Sequence, residues 1–133
     1  MLQLIAIYLT SAILGIMLFF SFVVAPITFT SLSEENARKF IRRIFPYYYN
    51  VNLGISVIIT LIFVFIDSFH LDFYLILSVT LLFAISNYIL MPLINKYRDN
   101  NQDKNFKFSH FISVIINFLQ MIFLIMILIW LLS

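Results

Sequence analysis

The sequence predicts an all-α protein, a bundle of four transmembrane helices with a short amphipathic helix between the first and second. The chain of 133 residues is 63% hydrophobic and only 11% charged, whereas soluble domains carry about 25% charged residues. Each of its four long apolar stretches is close to or above the roughly 20 residues that a helix needs to cross the hydrocarbon core. They cover about residues 4–25, 47–66, 73–94 and 108–132, and every charged residue lies outside them. We therefore expect one integral membrane domain, residues 1–133. Its spans should be helical, because the hydrocarbon core offers no hydrogen-bond partners and a helix satisfies its backbone groups internally.

The first stretch is interpreted as a membrane helix and not as a cleaved signal. No basic residue precedes it, and the small residue Ala25 is followed by Pro26, a poor context for cleavage.

The segment between the first and second spans predicts an amphipathic helix over residues 33–45. Ser33 is a suitable N-cap, and the two glutamates after it suit the positive end of a helix. Apolar residues repeat at helical spacing on one face, and Pro46 is expected to end the helix. The opposite face is basic and is our candidate for contact with anionic lipid headgroups; it consists of Arg38, Lys39, Arg42 and Arg43. The alternative is that this segment only sets topology and the entry of the second span.

All eight basic residues fall in two connections, residues 26–46 and 95–107. Because cytoplasmic loops are enriched in Lys and Arg, both connections should be cytoplasmic. The termini and the hairpin at Asp67–Asp72 should then be extracytoplasmic, and we expect the membrane to be a bacterial inner membrane. The third connection, 95–107, is polar and rich in Asn, so we expect a solvated, mobile loop.

A possible internal repeat links the first and third spans. Pro26 and Pro92 each follow a small polar residue by five positions, Ser21 and Asn87 respectively. This spacing indicates a parallel repeat of two helix pairs, unless proline is merely common near the ends of membrane helices.

The fourth span carries four polar residues that share one helical face: His110, Ser113, Asn117 and Gln120. Asn87 of the third span and Asn52 of the second are assigned to the same polar intramembrane face. Asn, Gln and Ser commonly join membrane helices to one another. The alternatives are a path for a small solute or a subunit interface.

His110 is the single ionisable side chain, tyrosines aside, that enters a span. Such residues suggest function by default. Lys107 is only three residues away, so the imidazole should lie near the interface, and a hydrogen-bonding role competes with haem or metal ligation. His110 is thus a weak metal candidate, and no cofactor is assigned.

Several residue types and motifs are absent from the sequence, which narrows the range of possible functions. Without cysteine there is no thiol chemistry, and no span contains a carboxylate for ion coupling. No hydrolase or metalloprotease motif is present, and the charge pattern does not suggest nucleic acid. We therefore expect a protein that is not an enzyme.

The chain resembles the transmembrane protein 205-like family, the domain of unknown function numbered 4149. The resemblance runs from about Gly15 to Gln120, and its most specific part is the His, Ser and Asn pattern after a basic loop. It rests on Phe19 to Pro26 with Phe29 and Leu32; Phe45 to Tyr48; Met91 to Asn95 with Arg98 and Asp99; and Phe106 with His110, Ser113 and Asn117. One departure is Arg38, where that family often has glycine after Ala37. The resemblance implies four membrane helices and no established activity. The layout is more loosely similar to the copper-resistance D group and small four-helix haem proteins, from which no ligand is carried over.

Three functional hypotheses follow. The first is a non-enzymatic, homo-oligomeric bundle whose polar face on the fourth span lines a small-solute path or a subunit interface. The second is a haem or metal redox protein that uses His110. The third is a scaffold that contacts anionic phospholipids through its basic helix.

Overall fold

The computed structural model describes residues 1–133 and consists of four long helices without strands. All four are long and apolar enough to cross a membrane. They are α1 (Leu2–Ser31), α2 (Glu34–Phe65), α3 (Leu71–Asp99) and α4 (Asp103–Leu132). The connections are short, so consecutive helices are antiparallel, and the predicted four-helix membrane bundle is confirmed.

The four helices pack as a ring. Each helix contacts its two neighbours, α1 with α2 and α4, and α3 with α2 and α4, whereas helices across the ring do not pack closely. The middle of the ring is filled by fully buried side chains: Ile13, Met17, Ile59, Phe63, Ile76, Phe83, Leu124 and Ile127. Protein interiors of this kind are close-packed, so no continuous lumen runs along the bundle axis.

The amphipathic segment between the first two spans is not a separate helix. It forms the first turns of α2, which continues through Pro46 to Phe65. Ser33 is the N-cap as predicted, and its hydroxyl accepts a hydrogen bond from the backbone N–H of Asn36 at 3.3 Å. The expectation that Pro46 ends the helix is wrong. Proline removes one helical hydrogen bond, but aromatic packing spans the position, because the Phe45 and Tyr49 rings stack with centroids 5.7 Å apart.

The polar connection between the third and fourth spans is also mostly helical, which corrects the expectation of a mobile loop over 95–107. α3 continues to Asp99 and α4 begins at Asp103, so only three residues link them. Asn101 has φ 56°, a left-handed conformation that Asn tolerates better than most residues. Polar composition was a poor guide here, since charged residues are compatible with helices that extend beyond the membrane.

Two π-helical turns support the internal repeat. They cover Phe20–Val24 in α1 and Ser86–Leu90 in α3, and each is followed at the second position by a proline, Pro26 or Pro92. A proline has no N–H for the carbonyl four residues earlier. In each helix the residue before the proline bonds five residues back, Ala25 N–H to Phe20 and Met91 N–H to Ser86.

The buried faces of α1 and α3 repeat as well. Every buried position of α1 up to the π-helical turn has a buried counterpart 66 residues later in α3. The paired positions are Ala6 and Asp72, Thr10 and Ile76, Ile13 and Val79, Met17 and Phe83, and Phe20 and Ser86. The same spacing separates the two prolines. The first helices of the two predicted pairs, α1 and α3, therefore repeat in sequence spacing and in burial.

Candidate ligand-binding cavity

The predicted polar face of α4 divides into separate environments. Asn117 connects three helices: its Nδ2 donates to Ser21 Oγ on α1 at 2.9 Å, and its Oδ1 accepts from the Tyr48 hydroxyl on α2 at 2.8 Å. Gln120 is buried deeper and donates from Nε2 to the carbonyl of Val79 on α3 at 3.0 Å. Both amides are therefore engaged within one chain.

The two asparagines assigned to the same face from other helices make no hydrogen bond to α4. Asn87 donates to Oδ1 of Asn50 at 2.8 Å, which joins α3 to α2. Asn52 is fully buried, and neither atom of its amide has a hydrogen-bond partner. The structure thus does not bring the six predicted polar residues into one continuous track.

His110 and Ser113 stand at the outer end of the α4 face. The Ser113 hydroxyl donates to the His110 carbonyl at 2.7 Å. The imidazole is exposed and lies parallel to the Phe106 ring one turn earlier, with centroids 5.8 Å apart. No group of three His, Asp or Glu side chains forms a metal-ligating cluster.

These residues border a cavity of about 290 Å³ at the end of the bundle that carries all eight bases, which we call the basic-end cavity. Its polar groups include the hydrogen-bonded set Ser21, Tyr48 and Asn117, which we call the polar floor. The Tyr48 ring stacks on Phe20 with centroids 4.3 Å apart, and Phe20 also belongs to the hydrophobic core. The cavity therefore ends on the packed core.

The rest of the lining is mainly apolar. Of its 20 residues, 12 are hydrophobic, which is typical of a small-molecule site with a few convergent polar groups. The apolar part includes Phe29, Ile41, Phe45, Met91, Ile94, Phe106, Val114 and Phe118.

Three arginines from two helices border the cavity: Arg38 and Arg42 of α2 and Arg98 of α3. No carboxylate lines it. Arg38 pairs with Glu34, and Arg42 pairs with Asp99 at 2.8 Å. The Arg98 guanidinium lies 4.2 Å from the centroid of the Phe106 ring and has no carboxylate partner.

The predicted basic face of the amphipathic segment is thereby split. Arg38 and Arg42, one helical turn apart, face the cavity, whereas Lys39 and Arg43 do not line it. Lys39 pairs with Glu35 at 3.0 Å on the exposed surface. Arg38 and Arg42 are four residues apart, as are Lys39 and Arg43, and residues at this spacing share a helix face. The two pairs could therefore have been separated from the sequence.

Sequence reasoning missed three contributors to the cavity. Tyr48 was not assigned to a site, Ser21 was interpreted only as part of a repeat, and Arg98 as a residue of a loose loop. A small polar residue inside an apolar span was the available signal for Ser21. Nothing in the sequence indicated that Arg98 is helical and close to α2.

The fold and the filled core define the class of this protein: a multi-pass integral membrane helix bundle with a closed interior. The chain belongs to the family of the Domain of unknown function (DUF4149), whose model matches residues 8–103. The match ends before His110, so the pattern on α4 and the narrower likeness to transmembrane protein 205 stay predictions. No curated protein and no solved structure matches the chain.

Proposed function

We propose that this protein is a non-enzymatic membrane protein that binds a small anionic ligand in the basic-end cavity. One observation carries the proposal: three arginines and no carboxylate border a largely apolar cavity that also presents hydroxyl and amide groups. Charge selects the sign of the ligand, and the convergent polar groups orient it. Ser113 lies one turn from His110, but its hydroxyl donates to the backbone carbonyl of His110 and not to the imidazole, which favours binding over catalysis.

The filled core favours a binding site over a path through the membrane. Fully buried Met17 and Phe83 lie in the bundle interior, and Gln120 bonds to a backbone carbonyl instead of facing open space. We therefore propose that a solute binds in the cavity and does not pass through the bundle.

The proposal is tested by thiol labelling, because the natural chain has no cysteine. Ser113→Cys, at the cavity, should prefer the anionic reagent methanethiosulfonate ethylsulfonate over its cationic trimethylammonium analogue by at least about fivefold, once each rate is divided by the rate of the same reagent with a small free thiol. The reason is that a base about 4 Å from an anion attracts it by about 1 kcal/mol in bulk water and by more near a protein surface. The matched control is Gln120→Cys on the same helix, which is buried and should remain unlabelled by both reagents.

Two results would contradict the proposal: no labelling of Ser113→Cys, or equal rates with the two reagents after each is divided by its rate with a small free thiol. Labelling of Gln120→Cys from water would favour a through path instead. Reagents applied separately to each side of the membrane also test the proposed orientation, in which the basic end is cytoplasmic and both termini are extracytoplasmic.

We also propose a homo-oligomer, with α1 at the contact between subunits. Ser11 and Gly15 are exposed on the outside of the bundle, and a Cβ added at Gly15 would meet no atom within 4 Å. Small residues four apart allow close approach of membrane helices. Asn117 is not available for such a contact, because its amide is engaged inside the chain.

Haem or metal binding by His110 remains the second candidate, because the imidazole borders the cavity. It predicts a Soret band or stoichiometric metal in protein purified from cells supplied with haem and metals, with loss in His110→Ala. A colourless and metal-free preparation would reject it.

A further inference from the structure

We infer that the occupant of the basic-end cavity is an anionic phospholipid of the adjacent leaflet, with its phosphate at the arginines and part of one acyl chain in the cavity. The inference rests on the proposed function and identifies its ligand class. It depends on three features: the charges at the cavity, its apolar lining, and an opening towards lipid between the end of α1 and α4.

The charges suit a phosphate. Arg38, Arg42 and Arg98 border the cavity and also border an outer hollow, together with Lys39, Glu34, Glu35 and Asp99. Guanidinium groups bind phosphate in a bidentate manner. The competing carboxylates lie on the outer side, and the Arg38–Glu34 and Arg42–Asp99 pairs are about half exposed or more. Exposed ion pairs are weak, so a phosphate can replace them.

The opening towards lipid follows from the π-helical turn in α1. After Phe20–Val24, the last turns of α1, Ala25–Ser31, pack against α2 and not against α4. A π-helical turn contains one extra residue, which changes the direction that all later side chains face. Phe29 and Phe118 border the cavity from α1 and α4, and their exposed fractions are 58% and 44%. The cavity is thus bordered by apolar side chains that also face the outside of the bundle.

The composition of the cavity favours a lipid over a soluble anion. A free phosphate needs only the arginines, but 12 of the 20 lining residues are hydrophobic. The polar floor lies further inside the bundle than the arginines, so one ligand that reaches both must have an apolar part.

The inference is tested by native mass spectrometry of the detergent-purified full chain. Palmitoyl-oleoyl-phosphatidylglycerol and the phosphatidylcholine with identical chains are added in equal amounts, so that only the headgroup differs. We expect the phosphatidylglycerol adduct to be favoured about fivefold or more. Arg98→Gln should reduce this preference about fivefold, which corresponds to about 1 kcal/mol per base near an anionic surface. Arg43→Gln, the same substitution at a base that borders neither the cavity nor the outer hollow, should alter it less than about twofold.

A second arm tests the acyl chain. Ser113→Phe places a ring at the cavity and should lower the adducts of both lipids, while circular dichroism verifies the helical fold. Soluble glycerol phosphate at equal concentration should not compete.

Equal binding of the two lipids, or equal effects of Arg98→Gln and Arg43→Gln, would overturn the inference. Competition by glycerol phosphate as strong as that by the lipid would assign the site to a soluble anion. In either case charge-selective labelling of Ser113→Cys would still support the proposed binding function. Absence of that charge selectivity would contradict both the proposed function and the lipid inference.

Discussion

Replacement of Asn117 by leucine tests whether the polar floor stabilises the bundle. Asn117 makes two hydrogen bonds to other helices, one with Ser21 and one with Tyr48. Interhelical hydrogen bonds in membranes contribute about 0.6 kcal/mol on average and up to about 1.7 kcal/mol. Asn117→Leu should therefore lower the free energy of unfolding by about 1–3 kcal/mol, because it also leaves the Tyr48 hydroxyl, on a buried residue, without this acceptor.

The assay is unfolding in mixed micelles of dodecylmaltoside and increasing sodium dodecyl sulfate, followed by far-ultraviolet circular dichroism. A double-mutant cycle of Asn117→Leu with Tyr48→Phe isolates the energy of their hydrogen bond. The coupling should be at least about 0.5 kcal/mol.

Asn52→Leu is the matched control, since the same substitution is made at an amide without partners. An unpaired buried polar group costs about 1–3 kcal/mol, so this variant should be more stable than the natural protein. The reasoning is refuted if Asn117→Leu is as stable as the natural chain, or if Asn52→Leu loses as much stability as Asn117→Leu.

Two further predictions concern the outside of the bundle and the basic end. Gly15→Leu should lower the native mass to that of the monomer, because the larger side chain blocks close approach of helices. Gly54→Leu, at an equally open position on α2, should leave the mass unchanged. Equal masses for the two variants would reject α1 as the contact between subunits. Arg42→Gln removes the ion pair with Asp99, which joins α2 to α3 at 2.8 Å, and should cost less than about 1 kcal/mol because both groups are exposed. That loss should shrink in 1 M salt, and a loss that is independent of salt would contradict an electrostatic origin.

The helical segments were largely predictable because each is set by local composition. Four apolar stretches define four membrane helices regardless of what packs against them. Ser33 acts as an N-cap through a hydrogen bond to a residue only three positions later in the sequence. The repeat was visible in the spacing of Pro26 and Pro92, since each proline acts on the carbonyls of its own helix.

The ends of the helices were not predictable in the same way. Pro46 and the polar residues after Asn95 were expected to interrupt helices, and both lie within them. Aromatic packing overrides the tendency of proline to end a helix. The ring of Phe45, before Pro46, packs against the rings of Tyr48 and Tyr49, after it.

The amino-acid sequence by itself determined that this chain is a membrane bundle of four helices and that its bases are concentrated at one end, because hydropathy and charge are properties of single segments. The tertiary structure alone decided which polar residues meet. Ser21, Tyr48 and Asn117 come from three helices, and Arg98 joins Arg38 and Arg42 at the cavity from a fourth part of the chain. Those meetings depend on the ring order of the helices, which no local pattern specifies.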